Sequence, residues 1–370
     1  MYDLLVVGAG PAGSAAAIVA RLAGLRVGLL DDVDERALKV GESLPGAVVR
    51  LLRRLGVDGP GALLRPPEFE PCVANVSAWG DENWSHRDAL SNPEGGGWHV
   101  LRHHFDASLR QRAAALGVER VHARITNARS SEGSWQLSVQ SAEPRMSHEL
   151  EARFIVDASG RRAVVCRRQG VRRQRLSEQF AVVGWLRHTE ADVDRTTRVK
   201  SVSNGWWYTA RLPGPLRVLA FHGLPRAVVQ LARSPAAFAD HCNRAGLLPY
   251  AVRARDLVEP LRVSDAAVQS AERVAGPSWL AVGDAALAFD PLSSQGVLFA
   301  LYSGIRGAEA ALRCLASSSR APAHLDEYER KVREVRLANQ RARQLFYSSE
   351  RRYLEEPYWQ RQQQGIDPRP

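Results

Sequence analysis

A glycine-rich turn near the amino terminus is the first feature of the sequence that predicts chemistry. Gly8, Gly10 and Gly13 follow an apolar run over 4–7 and precede a helix-like, alanine-rich stretch over 14–23. Glycines at this spacing allow a tight turn, close approach of the backbone to a pyrophosphate, and close packing of helix on strand. Free N–H groups at a helix N-terminus bind phosphate. The turn therefore predicts a phosphate site that includes Ala12.

Two acids close the second apolar run, which covers 26–30. Asp31 and Asp32 follow that run, and Asp31 lies eighteen residues beyond Gly13. At this distance a carboxylate can accept hydrogen bonds from a ribose diol. An isolated GxGxxG motif is often a turn with no ligand, but strand, turn, helix and acid occur together here. This full context predicts dinucleotide binding.

Two later apolar runs also end in polar turns that contain glycine. The run over 154–156 leads into Asp157, and the run over 279–282 leads into Gly283. A loop and an apolar-periodic helix over 297–315 follow the second turn. Each turn alone could be a plain strand end. The candidate cofactor residues in these segments are Asp157, Gly160, Gly283, Asp284, Pro291, Ser294, Gln295 and Gly296.

Two more motifs complete a pattern that resembles a known family. They are Gly41-Glu42-Ser43 and the segment over 97–102, which ends in Arg102. With the three turns they make nearly the whole chain similar to FAD enzymes of the para-hydroxybenzoate hydroxylase class. The GES motif taken alone could be a helix N-cap at Ser43. In order with the others, it resembles the branch that holds tryptophan halogenases and geranylgeranyl reductases.

The resemblance implies roles for particular residues. It places Asp284 at the ribityl chain of FAD, Arg102 against the cofactor, and Pro291 with the amides of 294–296 at the flavin edge. A helix beginning near Gly296 would direct N–H groups at the flavin, where negative charge sits after reduction. The resemblance adds Glu42, Ser43 and Ile125 to the cofactor-binding residues. It implies NAD(P)H, or reduced flavin from a separate reductase, as the electron donor.

The distribution of lysine separates the branches of this family. Halogenases carry a lysine downstream of the GES-like motif, and this sequence has none between Lys39 and Lys200. Arginine stays protonated and offers no comparable nucleophilic amine. The halogenase motif WxWxIP is also altered, because Tyr208 and Ala210 stand where Trp and Ile are expected. Both differences disfavour halogenation. An isoprenoid-type reductase is disfavoured because 173–275 is rich in arginine and polar turns.

Several tryptophan-containing segments favour a hydroxylase. The segments over 77–80, 97–99, 205–208 and 346–359 resemble flavoproteins that hydroxylate tryptophan during maturation of tryptophylquinone cofactors. The resemblance implies oxygen transfer from a flavin C4a-hydroperoxide to an electron-rich aromatic ring, of indole or phenol type, free or within a peptide or protein. Halogenase, isoprenoid-type reductase and non-catalytic FAD-binding partner are the alternatives.

The substrate face is predicted from strand alternation. Trp206 and Tyr208 share one face of a strand-like segment, and Trp207 takes the other. These residues could line an aromatic pocket or pack as core. His222, at the end of another strand, is a weak candidate base, and no catalytic residue is assigned. The histidines at 99, 103 and 104 lack the glutamate of a zinc motif, so we predict no metal site.

Composition limits the class of protein. The chain has 370 residues and a formal charge of +10, and all but three of its 50 basic residues are arginine, spread along its length. Nucleic-acid binders usually cluster such charge, so we expect no nucleic-acid partner. Seven arginines over 161–175 could form a docking face for an acidic peptide or protein, or for the phosphates of a nicotinamide cofactor, or they could form a solvated turn. No apolar run is long enough to span a membrane, and no leader is visible, so we expect the cytoplasm.

These features predict an α/β fold with a Rossmann-like, discontinuous FAD-binding domain. We assign residues 1–68, 95–172 and 272–320 to that domain. Residues 69–94 and 173–271 would form a β-sheet substrate domain, and 321–370 a helical C-terminal tail.

Overall fold

A computed structural model of the chain describes residues 1–32, 38–131, 133–141, 146–188 and 192–363. The strands are β1 Tyr2–Val7, β2 Val27–Asp31, β3 Ser43–Leu44, β4 Phe69–Cys72, β5 Ala74–Ala78, β6 Ser85–Asp88, β7 Gly97–Val100, β8 Glu119–Ser131, β9 Ser134–Ser141, β10 Ser147–Asp157, β11 Arg173–Arg175, β12 Phe180–Arg187, β13 Thr197–Val202, β14 Gly205–Arg211, β15 Leu216–Gly223, β16 Arg262–Asp265, β17 Gln269–Ala271, β18 Ala275–Gly276, β19 Trp279–Ala281 and β20 Leu287–Ala288. The helices are α1 Pro11–Leu22, α2 Val48–Arg54, α3 Pro60–Leu63, α4 Arg102–Ala115, α5 Val164–Arg168, α6 Pro225–Ala232, α7 Pro235–Ala245, α8 Gly296–Ala316, α9 Ala321–Ser349 and α10 Pro357–Gln363.

A parallel sheet forms the first layer. Strands β8, β2, β1, β10 and β19 lie side by side in parallel, while β9 pairs antiparallel with both β8 and β10, and β18 with β19. Residues 4–7 of β1 are all buried. A central parallel strand is covered on both faces, so it is apolar throughout instead of alternating. The carboxyl ends of β1, β10 and β19 carry the three predicted turns to one edge of the sheet.

Helices α1 and α8 pack closely on each other beside this sheet, because the residues at their contact are small. Alanines 15–17 of α1 are fully buried. On α8, a Cβ added at Gly304 would lie 2.2 Å from the carbonyl oxygen of Ala12. Any side chain at Gly304 would therefore push the two helices apart and move the glycine turn at the start of α1.

A second sheet has the strand order β16-β12-β15-β14-β13-β5-β6, in which only the pair β13–β5 is parallel. On one face Trp207 packs with Phe221 and with Phe238 of α7. Trp206 and Tyr208 lie on the opposite face, as the alternation predicted. Two three-stranded sheets, β3-β7-β4 and β11-β17-β20, complete the strand layers.

The C-terminal helices run back along the molecule. Helix α9 packs on α8, and α10 returns to the end of α9, where the Gln363 side chain donates to the carbonyl oxygens of Tyr347 at 3.0 Å and Glu350 at 2.8 Å. The layers confirm the α/β class with helical C-terminal elements, and the domain boundaries stay a prediction. Predicted tail residues 364–370 lie outside the described residues. No helix in the described ranges is long and apolar enough to cross a membrane.

Candidate functional site

A cleft of about 580 Å³ lies where the carboxyl edge of the parallel sheet meets the second sheet. The residues predicted for a site that line this cleft are Gly10, Ala12, Glu42, Ser43, Arg102, Gly160, Trp206, Tyr208, His222, Gly283, Asp284, Pro291, Ser294 and Gly296. They come from positions spread over almost the whole chain. Gly8, Gly13, Asp31, Asp32, Ile125, Asp157 and Gln295 are not among the lining residues.

The glycine turn has the geometry that close phosphate approach requires. A Cβ at Gly13 would lie 1.8 Å from the carbonyl oxygen of Gly8, and Gly8 itself has a φ of +105°. Both glycines are therefore needed for the turn to close. Gly10 is different, because a Cβ there would have no atom within 4 Å. Its backbone faces the open cleft, directly before the first turn of α1.

A second helix N-terminus opens on the same cleft. Helix α8 begins at Gly296, where an added Cβ would again meet nothing within 4 Å. Ser294, just before it, adopts a left-handed φ of +50°, which turns the chain into the helix. Neither helix start has a side-chain cap, so both leave N–H groups available to a ligand.

Arg102 and Asp106 form a charged wall between these ends. The Arg102 guanidinium donates to the carbonyl oxygens of Val40 at 3.0 Å and Gly41 at 3.1 Å, and to Asp106 at 3.2 Å. A Cβ at Gly41 would lie 2.3 Å from the Arg102 side chain. Gly41 of the GES motif thus makes room for Arg102, which explains why both motifs occur together.

Glu42 and Tyr208 join the GES motif to the second sheet. The Tyr208 hydroxyl donates to Glu42 Oε1 and lies 2.9 Å from Ser43 Oγ. Glu42 is buried, and its Oε2 has no partner among the described residues. Burial raises the pKa of the Glu42 carboxyl. Burial and the neighbouring Glu42 raise the pKa of Tyr208 well above its usual value.

Asp284 extends from the turn after β19 into the cleft. Its carboxylate lies 3.6 Å from the Arg161 guanidinium, and its carbonyl oxygen accepts from Arg173 at 2.9 Å. Burial in the cleft wall raises the pKa of this carboxyl, and the nearby arginines oppose the rise. Gly283 needs its positive φ of +58°, and a Cβ there would press on Ala12.

Four predicted cofactor residues have other neighbours. Asp31 is buried and lies 3.2 Å from Arg120 and 3.0 Å from His122. Asp32 pairs with Arg162 at 2.8 Å, and hydrogen bonds from Arg162 lower its pKa. Asp157 accepts from the N–H groups of residues 159, 165 and 166 and so caps α5. Ile125 is buried in β8. Their cofactor contacts stay predictions.

One face of the second sheet forms the remaining wall. It presents alternate residues of three neighbouring strands: Ala181 and Val183 from β12, Trp206 and Tyr208 from β14, and Val218, Ala220 and His222 from β15. Trp206 stacks on His222 with ring centroids 3.8 Å apart and planes within 5°. The wall is thus mostly apolar and aromatic, and the small alanines leave room beside the rings.

The C-terminal helices pack against Trp206 on the same face of the sheet. Trp206 packs in a buried cluster with Tyr347, Tyr358 and Trp359. Trp79 lies edge-on to Trp206 at 6.3 Å, and its indole N–H donates to the Phe346 carbonyl oxygen at 2.9 Å. The tryptophan segments around 79, 206 and 359 are therefore in contact. In the sequence they were associated only by resemblance.

Sequence reasoning missed Asp106, Arg161 and Asp290 as lining residues. Asp290 accepts from Arg343 at 2.9 Å and from Tyr347 at 3.1 Å, and it caps the turn at Leu292 at 3.0 Å. Its position directly before Pro291 was the available signal. Asp106 lies four residues after Arg102 on α4, the spacing of an ion pair on a helix.

The arginine run over 161–175 is largely used within the molecule. Arg161 donates to the Ala267 carbonyl oxygen, Arg162 pairs with Asp32, and Arg175 pairs with Asp265. The arginines at 168, 172 and 173 likewise contact carbonyl oxygens or an acid. These guanidinium groups connect segments of the same chain, and the docking face stays a prediction.

The three histidines for which no metal site was predicted, at 99, 103 and 104, have different surroundings. His99 is fully buried, and its Nε2 lies 2.8 Å from the Thr197 hydroxyl. Burial lowers its pKa to about 4. His103 and His104 lie beside each other on α4. Across the described ranges, no group of acids, histidines and cysteines is arranged to hold a metal ion.

The cleft fits a flavin dinucleotide. Two open helix N-termini, at Gly10 and Gly296, can receive the pyrophosphate and the flavin edge, and Asp284 lies between the glycine turn and the second sheet. The volume is within the range of cofactor sites. The backbone at both glycines is accessible from the cleft, which is what close contact with phosphate and ring requires.

Comparisons with known proteins agree with this geometry. The family model described as tryptophan halogenase matches residues 84–369. LodB of Marinomonas mediterranea, named for an FAD-dependent oxidoreductase activity, is 26% identical over 97% of this chain and 96% of its own length. The 1H-pyrrole-2-carbonyl-(peptidyl-carrier protein) brominase of Pseudoalteromonas luteoviolacea is 26% identical over 84% of this chain and 77% of its own.

A solved structure shows the same fold. The peptidyl tryptophan dihydroxylase QhpG, described as essential for tryptophylquinone cofactor biogenesis, has a TM-score of 0.79 and 24% identity, over 98% of this chain and 78% of its own. The family model covers more than two thirds of the chain, and the cleft is built as such a family needs. The chain belongs to the tryptophan halogenase family, and it is a flavin-dependent enzyme with FAD as its cofactor.

Proposed function

We propose that the chain is an FAD-dependent monooxygenase that hydroxylates an electron-rich aromatic ring of the indole or phenol type. The observation that carries the proposal is the wall formed by Trp206, Tyr208 and His222 in a cleft whose described lining contains no lysine. An aromatic wall suits a flat ring. The missing amine disfavours the halogenase chemistry that the family name suggests.

The positions of the three lysines support this choice. Lys39 lies 3.5 Å from Asp106, which lines the cleft, but it precedes the GES motif. Lys200 pairs with Glu82 at 3.1 Å, and Lys331 is on α9. Halogenases of this family carry their lysine downstream of the GES motif, and strand β5, which lies downstream of that motif here, carries no lysine.

When bound in this cleft, FAD would supply the chemistry that activates O₂, with NAD(P)H or a separate reductase as the electron donor. The protein's own residues do the rest. The apolar wall places the substrate ring and excludes water from the reacting atoms. The two helix N-termini stabilise the negative charge of the reduced cofactor and its phosphates. Tyr208 donates to Glu42 and also contacts the Ser43 hydroxyl, and this link connects the cofactor wall to the substrate wall.

Halogenation is the second candidate, because the family model and the brominase relative favour it. In that case Lys39 is the lysine nearest the cleft, through Asp106. The two functions would use the same cofactor and the same aromatic pocket, and they differ in the atom that is transferred and in the need for halide and a lysine.

The experiment that separates them is mass spectrometry of the products. The FAD-loaded protein is incubated in air with a flavin reductase and NADH, with indole, phenol and tryptophan-containing peptides, with and without bromide. The proposal expects a gain of one or two oxygens that is independent of bromide. A brominated product, lost in Lys39→Met, would overturn it in favour of halogenation. Absence of reaction, with no reduction of FAD by any donor, would favour a non-catalytic FAD-binding partner.

A further inference from the structure

His222 is a buried histidine on the cleft wall with no hydrogen-bond partner in the described part of the chain. Its side chain lines the cleft, its residue is 5% exposed, and its Nδ1 is buried without a donor or acceptor nearby. Burial lowers its pKa to about 3, and no neighbouring charge contributes to that shift. A buried polar atom without a partner is unfavourable, so it requires an explanation.

The surrounding wall gives the imidazole no protein partner. Ala181, Val183, Val218 and Ala220 present apolar side chains, and the Tyr208 hydroxyl is engaged by Glu42 and Ser43. Among the described residues of this wall, His222 Nδ1 and Trp206 Nε1 are both without a hydrogen-bond partner. The indole N–H of Trp206 can only donate, so of the two side chains the imidazole is the one that can accept a hydrogen bond. The two rings of His222 and Trp206 are stacked.

The stack also holds the imidazole in position. His222 and Trp206 are directly opposite in the β14–β15 pairing. Trp206 also packs in a buried cluster with Tyr347, Tyr358 and Trp359 of the C-terminal helices. The imidazole cannot turn away from the cleft without losing its stacking contact with Trp206. A ring held in this way is suited to selecting a ligand by the position of its donor.

We infer that His222 recognises the ring N–H of an indole substrate, accepting its hydrogen bond on a neutral imidazole nitrogen. This rests on the proposed function, and it names the feature of the substrate that the cleft selects. A neutral imidazole has one nitrogen that accepts. Pairing an imidazole nitrogen with a substrate N–H would give this side chain the hydrogen bond that the protein does not supply, while the apolar residues contact the ring.

The test compares two bicyclic rings of nearly equal shape. Indole carries the ring N–H, and benzofuran replaces it with an oxygen that cannot donate. The full chain loaded with FAD is titrated with each, and binding is followed by the flavin absorbance change or by calorimetry. We expect indole to bind about tenfold more tightly than benzofuran, as the loss of one buried hydrogen bond predicts.

The variant His222→Phe keeps a ring against Trp206 and removes both nitrogens, so indole and benzofuran should then bind equally. Val183→Ala is the matched control on the same wall, and it should weaken both ligands by the same factor. FAD content and thermal unfolding verify that each variant is folded. In case His222→Phe does not fold, nitrogen NMR of the wild-type imidazole gives a second readout, in which indole shifts the His222 signal and benzofuran does not.

Equal binding of the two rings by the wild-type protein, or no binding of either, would overturn the inference. So would retention of the indole preference in His222→Phe. No turnover is needed for these measurements. A failure to hydroxylate would therefore leave the binding result intact, and equal binding would leave the hydroxylase proposal intact.

Discussion

Glu350 connects the C-terminal helices to the second sheet through a buried carboxylate. Its Oε2 accepts from Ser201 Oγ and Arg352 at 2.6 Å each and from the Gly80 N–H at 2.9 Å. Its side chain is fully buried. Burial alone would raise its pKa, but the hydrogen bonds from Arg352, Ser201 and Gly80 outweigh it and lower the pKa to about 2. Glu350→Gln should therefore remove a charged anchor.

The size of the effect follows from the pKa. A fall from 4.5 to about 2 corresponds to about 3 kcal/mol of folding free energy at neutral pH. Because the folded-state pKa is the lower one, this stability is present above the unfolded-state pKa and is lost as the pH falls toward 2. Linkage gives roughly half of it remaining at pH 3. Glutamine keeps the shape of the side chain and cannot ionise.

The assay is urea unfolding of wild type and Glu350→Gln at pH 7 and pH 4, extended toward pH 3 as far as the fold persists. We expect the variant to be about 3 kcal/mol less stable at pH 7, with the difference shrinking as the pH falls. Glu82→Gln is the control, because Glu82 contacts the same Arg352 from an exposed position and should cost under about 1 kcal/mol. A difference that does not depend on pH would refute an ionised, hydrogen-bonded Glu350.

Three further substitutions test the cleft. Gly10→Ala should fold and lose at least about tenfold in FAD affinity, because its Cβ enters the cleft. Gly13→Ala should unfold, because its Cβ would clash with the Gly8 carbonyl oxygen. Equal FAD affinity in Gly10→Ala and wild type would contradict the phosphate assignment. Tyr208→Phe leaves the buried Glu42 carboxyl without its donor and should lower the free energy of unfolding by about 1–3 kcal/mol, measured in urea against Ser43→Ala, which should cost less. Arg343→Gln breaks a buried pair with Asp290 and should cost about 3–5 kcal/mol by the same assay, while Arg330→Gln, in an exposed pair with Glu334, should cost under about 1 kcal/mol.

The backbone part of the site could be predicted from the sequence. These parts of the site depend on a backbone conformation or a helix end, which neighbouring residues specify. They are the glycines at 8, 10 and 13, the turn at 283–284 and the helix start at Gly296. The same holds for the faces of Trp206 and Trp207, because strand alternation has a period of two residues. The family resemblance placed these segments in one cleft, and the structure agrees.

Side-chain partners from distant positions were not predictable in this way. Asp31 has the spacing of a ribose ligand, but Arg120 and His122, on a strand nearly ninety residues later, lie beside it. Asp157 has the motif of a cofactor residue, but its carboxylate caps α5. The partners of the arginine run over 161–175 were not predictable for the same reason. A run of arginines shows its charge in the sequence, and only the fold shows which acids and carbonyl oxygens of the same chain contact it.

The two walls of the cleft share one support, and this explains why the C-terminal helices belong to the site. Asp290 stands directly before the Pro291 loop on the cofactor side, and it is held by Arg343 and Tyr347 of α9. Tyr347 also packs beside Trp359 and Trp79, which support Trp206 on the substrate side. A displacement of α9 would therefore move the loop and the aromatic wall together. Because a ring must meet the cofactor at a defined distance to react, one helix that positions both walls keeps their separation constant.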